Sequence, residues 1–258
     1  MSNDTICYSR VFLRQVIVRL DFAELISNDK LFDKQVIASI AKTFPHSGKK
    51  QVVKFEEMSF KLDSIKGATV ERGLQEGLQQ EFYDSSKKNK LVLSNKALVL
   101  EINEYSSYEK SISSIKNVLK IIMKENDITV IRTGIRYINI FSGYEIKLNK
   151  NLFANDIGAM LEKNLPIISR GAVLQRAMAM KEYRYNDMTI NFRYGMFNPD
   201  YPGNLKKNDF TLDLDCYTQE PITGFEDILD HIHDGHDAIQ ELFEGSITNN
   251  LRKIMNDE

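Results

Sequence analysis

The chain has 258 residues, 42% of them hydrophobic and 27% charged, long enough to bury roughly 70–75% of its unfolded surface without disulfides or metals. Its 34 basic and 36 acidic side chains leave a formal charge of −2, so no global field draws it onto nucleic acid or anionic lipid. Cys7 and Cys216 form no CxxC pair, which excludes zinc ribbons and thioredoxin-like redox motifs. No signal-peptide core precedes the first element and no apolar run approaches ~20 residues, so a reduced, cytoplasmic, soluble protein is expected.

Val11–Phe22, VFLRQVIVRLDF, alternates and is rich in branched residues, which predicts a strand. DKLFDKQVIASIAKTF follows with Leu31, Val36, Ile37 and Ile40 near helical spacing and Pro45 just beyond, a helix. QVVKFEEMSFKL is a strand. Gly67, Gly73 and Gly77 then suggest a loop or an irregular helix. QEFYDSS and KLVLSNKALVLEINEY read as strands, with turns near Lys88-Asn89 and Asn95-Lys96. From Ser106 the spacing of Tyr108, Ile112, Ile115, Val118, Leu119 and Ile122 predicts an amphipathic helix with a serine N-cap.

Ile128–Phe141 is a long predicted strand, and LFANDIGAMLEKN a short helix ended by Pro166. GAVLQRAMAMKEYRY and MTINFRYGMF form a hairpin turning at Asn186-Asp187. DFTLDLDCYTQ is another strand, and one long helix runs from Phe225 to about Met255. Strands in runs with helices after them predict an α+β fold with antiparallel sheet. The order repeats in residues 1–126 and 127–258, which predicts two pseudo-repeated lobes of one body, a diverged duplication.

Three places could carry chemistry. DHIHDGHD, Asp230 to Asp237, holds three of the four histidines. His233 and Asp237 are spaced i, i+4 and could share a metal with His236, but His236 falls in the apolar stripe between Ile232 and Ile239. A half-buried structural histidine beside surface His–Asp pairs is therefore the plainer reading. Gly235 weakens the helix by about 1 kcal/mol relative to alanine and suggests a kink.

In VIRTGIRYINI, Arg132, Gly134 and Arg136 share a strand face, and two arginines flanking a glycine could hold a phosphate or carboxylate. Asp213 and Asp215 in TLDLDCY share a face, with Leu212, Leu214 and Cys216 on the other. Arg19, Asp21 and Arg193 extend the theme. The strands could form a cross-strand charge network, line a cavity for an anionic ligand, or hold Mg²⁺ and a phosphate for hydrolysis. The last would resemble the triphosphate-tunnel enzymes. Their ExExK strand has no counterpart, because Glu101 and Glu104 in LEINEY are three apart and fall on opposite faces. GxSxG, GxxxxGK[ST] and GxGxxG after a strand are also missing. Lys87, Lys88 and Lys90 near Tyr83 read as a solvated turn, so nucleic acid is not an expected partner.

FLRQVIVRLDF, LVLSNKALVLEINEYSSYEKSISSIKNVL, IRTGIRYINIF, FTLDLDCY and HDAIQELFEGSIT follow one another in that order. The series resembles a sporadically distributed bacterial family of roughly 250-residue conserved hypothetical proteins, over nearly the whole chain. The matching positions are Arg132, Gly134, Arg136, Tyr137, Asn139, Asp213, Asp215, His236, Phe243, Ile247 and Thr248. The resemblance implies no established activity. Its patchy distribution would suit defence or toxin–antitoxin loci. The expectation is a non-catalytic binding component that recognises a protein partner, a second copy or an anionic ligand, with Arg132, Gly134, Arg136, Tyr137, Asn139, Asp213, Asp215 and Arg193 as the candidate ligand-binding residues and no cofactor. A metal-dependent phosphoryl-transfer or phosphohydrolase enzyme is the alternative.

Overall fold

The computed structural model describes residues 8–63, 67–124, 128–162 and 174–256, with 57–63 and 67–72 through their backbone alone. The alternating segments pair into one antiparallel sheet. Leu13–Phe22 (β1) is followed by two short helices, Asn28–Leu31 (α1) and Lys34–Thr43 (α2). The single predicted helix is split because the Asp33 side chain accepts from the Gln35 backbone N–H and caps the second piece. His46–Ser47 (β2), Gln51–Asp63 (β3), Gly67–Tyr83 (β4), Lys90–Ser94 (β5) and Ala97–Ile102 (β6) lead to the helix Tyr108–Lys124 (α3). The glycine-bearing stretch expected to be a loop or helix is thus the longest strand, paired with β3 from Gly67 to Gln79. At Gly77 a Cβ would lie 2.6 Å from the Asn95 side-chain oxygen, so this glycine marks a close approach within the sheet.

The second half runs through Val130–Ser142 (β7), Asn155–Gly158 (α4), Ala177–Tyr185 (β8), Met188–Met196 (β9), Asp209–Thr218 (β10), Phe225–Ser246 (α5) and Asn249–Met255 (α6). The β8–β9 hairpin turns at Asn186, which adopts φ +53° as an asparagine can. Pro166, Cys7 and the boundary at Asn126-Asp127 lie outside the described residues.

The terminal helix is two helices. Ile247 is extended and bridges Phe153, while the Thr248 N–H donates to the Leu152 carbonyl and its hydroxyl to the Asn151 carbonyl. Those long-range bonds replace the helical ones at a β-branched pair, where helix propensity is weak.

Strand order is β2-β4-β5-β6-β1-β7-β10-β9-β8, with β3 also on β4. Each half sets its last strand beside its first, β6 by β1 and β10 by β7, and β1 joins β7 at the centre. Helix α5 packs on β7 and β10, and α3 packs on α2 and α5. The core is the helix-side alternation of the strands: Val18 and Leu20, Leu98 and Leu100, Ile135, Leu214 and Cys216, met by Ile115, Leu119, Ile232 and Ile239. Each such side chain contributes about 1.5–3 kcal/mol on burial. Among the described residues no helix is long and apolar enough to cross a membrane.

Candidate functional site

The charged positions alternate with the core positions, so they project from the face opposite α5. Register sets Asp215 opposite Arg136 and Tyr217 opposite Gly134 across β10–β7. Across β10–β9 it sets Asp213 opposite Arg193 and Asp215 opposite Asn191. Arg136 reaches diagonally to Asp213, donating from Nε to Oδ1 and from Nη2 to Oδ2, each 2.6 Å. Arg193 Nη1 adds a donation to Oδ2 at 3.2 Å. The hydrogen bonds that Arg136 donates to Asp213 raise the Arg136 pKa further, against the cost of burial.

Arg132 and Asp215 do not pair directly. The Arg132 guanidinium lies 4.6 Å from the centroid of the Tyr217 ring, and its buried Nε lacks a hydrogen-bond partner among the described residues. Burial pushes the Asp215 carboxyl above the usual carboxylate range; Arg132, Arg136 and Arg193 pull it down without prevailing. Of the expected network, the Arg136–Asp213 arm forms and Arg193 joins it. Arg19 and Asp21 pair at 2.9 Å further along the face.

Gly134 does not make room for a ligand. A Cβ there would lie 3.1 Å from the Cβ of Tyr217 and 3.5 Å from the Cys216 carbonyl, so the neighbouring strand takes that space. Tyr217 went unmarked in the sequence, although the alternation of TLDLDCYT already places it on the face of Asp213 and Asp215.

Tyr137 and Asn139 belong to the other face. The period of two that gathers the arginines sends these neighbours under the helices. The Tyr137 hydroxyl lies 2.8 Å from His236 Nδ1, and Tyr108 stacks flat on the His236 ring at 4.0 Å. The Asn139 amide donates to the Leu212 carbonyl at 3.5 Å. These residues and Phe243 line a cavity of about 340 Å³ between β7, α3, α5 and Tyr8–Leu13. The sheet therefore separates the predicted ligand-binding residues into an arginine–aspartate face and an aromatic cavity.

The histidine cluster also divides. His236 is 7% exposed, and burial holds it below its ordinary pKa, so the ring is neutral. His233 is exposed, 3.8 Å from Asp237, and its ring centre lies 6.5 Å from that of His236. Among the described residues no three His, Cys, Asp or Glu side chains are grouped to hold a metal ion. Cys216 is buried in the core as its alternation implied, its thiol pushed up to about 12 by burial. Two of the three lysines of the β4–β5 turn have acidic partners: Lys88 meets Glu104 at 2.9 Å, and Lys90 meets Glu101 at 3.3 Å.

His231 ties α5 to the β8–β9 turn, meeting the Asp227 carbonyl at 2.7 Å and Asp187 Oδ2 at 2.9 Å. Burial disfavours its charge, but those two acceptors outweigh burial and raise its pKa. A raised folded pKa stabilises below the unfolded value of about 6.5 and loses that contribution as pH rises through the folded value. The melting difference between the native chain and His231→Gln is therefore larger at about pH 5.5 than at about pH 8.5. Thermal melts at both values check this.

A scan of the chain against protein-family models finds no match, and a search of curated proteins finds none. The family resemblance thus rests on the order of the sequence segments alone.

Proposed function

We propose that this chain is a non-catalytic binding and regulatory component, which recognises an anionic ligand or an acidic stretch of a protein partner on its Arg132–Arg136–Arg193 face. The observation that carries the reading is the state of Asp213. Both its oxygens accept from arginine, so this acid is engaged before any substrate or cation arrives. Three arginines face two aspartates, a local excess of one positive charge, and burial disfavours charge on Asp215. Planar guanidinium forks suit carboxylates and phosphates. The family resemblance would place such a component in a multi-gene defence or toxin-control system. A metal-dependent phosphohydrolase would need Asp213 and Asp215 to share an ion, and the arginine clamp on Asp213 competes with that.

The test titrates the native chain at low salt with a fluorescent ten-residue polyglutamate peptide and with inorganic pyrophosphate. Arg132→Gln weakens binding about tenfold, the loss of one charge-assisted contact of about 1.4 kcal/mol. Asp215→Asn strengthens it, because the positive excess rises by one charge. Binding indifferent to both changes would remove the reading. Magnesium-dependent phosphate release from nucleoside triphosphates, lost in Asp215→Asn, would install the phosphohydrolase in its place.

A further inference from the structure

We infer that the aromatic cavity on the helix side of the sheet is a binding site for a small organic cation, an amine or quaternary ammonium group on an apolar body. The cavity encloses about 340 Å³, within the range of small-molecule sites. It lies on the opposite face from Arg132 and Arg136, so the inference is independent of the anion-binding reading.

Aromatic side chains make up much of its lining. Tyr8, Tyr105, Tyr108, Tyr137 and Phe243 surround the space. Aromatic faces carry negative potential and attract cations, most strongly where water is excluded. Among the described residues the charged side chains of the lining are Glu109 and Glu244, with no lysine or arginine. Glu244 is already held, accepting from the Tyr8 hydroxyl at 2.8 Å and from Arg252 Nε at 3.0 Å. Glu109 is exposed at the mouth, in the first turn of α3.

One polar side chain in the lining can accept a further hydrogen bond. His236 is 7% exposed and its Nδ1 is taken up by Tyr137, while Nε2 has no partner among the described residues. Burial keeps the imidazole neutral, so it does not repel a cation. In the tautomer that donates Nδ1–H to the Tyr137 oxygen, Nε2 can accept from an ammonium N–H. An anion would meet two carboxylates and six aromatic side chains, counting Phe12, with no basic side chain among the described lining residues.

The test titrates the full chain with benzyltrimethylammonium, benzyl alcohol and benzoate by calorimetry, and follows the His236 ring signals by NMR. The cation binds at least tenfold tighter than the alcohol, benzoate does not compete, and the His236 signals move. Glu109→Gln changes an exposed side chain; it weakens the cation severalfold and leaves the alcohol unchanged. Tyr108→Leu keeps apolar bulk but removes a ring face, and weakens the cation more than the alcohol; a thermal melt confirms that this variant is folded. Equal or tighter binding of the alcohol or benzoate would overturn the inference. So would a cation that fails to bind, that leaves the His236 signals in place, or that is indifferent to both substitutions.

Discussion

Asp213→Asn lowers the melting temperature by about 5–10 °C, whereas Asp215→Asn, two residues along the same strand face, leaves it unchanged or raises it. Asp213 is 9% exposed at its side chain and holds Arg136 through two bonds of 2.6 Å and Arg193 through a third. Removing one partner of a buried charge pair costs about 3–5 kcal/mol, since the other charge stays behind. Arg136 keeps 35% of its side-chain exposure, and solvent screens part of that loss, leaving about 2–3 kcal/mol.

Asp215 reverses the sign. Its folded pKa is raised, so its stabilising contribution belongs to low pH and disappears as pH rises through the folded value. At neutral pH its burial as a charge is a cost, and the neutral amide removes that cost. Melts of both variants at about pH 7 and about pH 4 measure the contrast. Equal losses at neutral pH would mean that Asp215 has a direct arginine partner.

Gly235→Val destabilises by about 2–4 kcal/mol, and Gly235→Ala fails to stabilise although it improves helix propensity by about 1 kcal/mol. Gly235 sits in the middle of α5, where the helix rests on the sheet. A Cβ there would lie 3.0 Å from the Ile135 Cγ2 and 3.6 Å from the Cys216 sulfur. Alanine sets its propensity gain against a contact that Ile135 must yield to. Valine adds two further carbons on the same side and lifts the helix, carrying the adjacent His236 away from Tyr137. Thermal melts of both variants, with the His236 ring signals as a local probe, check this. An alanine variant more stable by the full propensity difference would show that the helix has room to spare.

Much of the fold was legible because its signal is local. The period of two in VIRTGIRYINI and TLDLDCY assigns a face to every residue without knowledge of the partner strand. It put Arg132 with Arg136 and Asp213 with Asp215, and it sent Cys216 to the core. The same rule separates Tyr137 and Asn139 from the arginines, although the family resemblance gathers them into one set of matching positions. The helical stripe placed His236 inward and His233 outward.

Other features have no local signal. Gly67, Gly73 and Gly77 look like a break, yet the paired length of β3 and the close approach of Asn95 at Gly77 keep the chain in a strand. Ile247-Thr248 continues the helical apolar pattern, and only the distant segment at Asn151–Phe153 pulls it out of the helix. Which arginine holds Asp213 depends on a diagonal reach across β7 and β10, and Tyr217 displaces Arg132 from the pairing that spacing suggests.

By itself the sequence determined the class of fold, the face of each residue in β7 and β10, and the inward turn of His236. Those follow from backbone periodicity, which acts within a few residues. The tertiary structure alone decided the order of the strands, the arginine clamp on one aspartate and the ring-walled space beneath the helices. Those depend on side chains from segments tens to hundreds of residues apart, and their meeting is set by packing and register that no short stretch encodes.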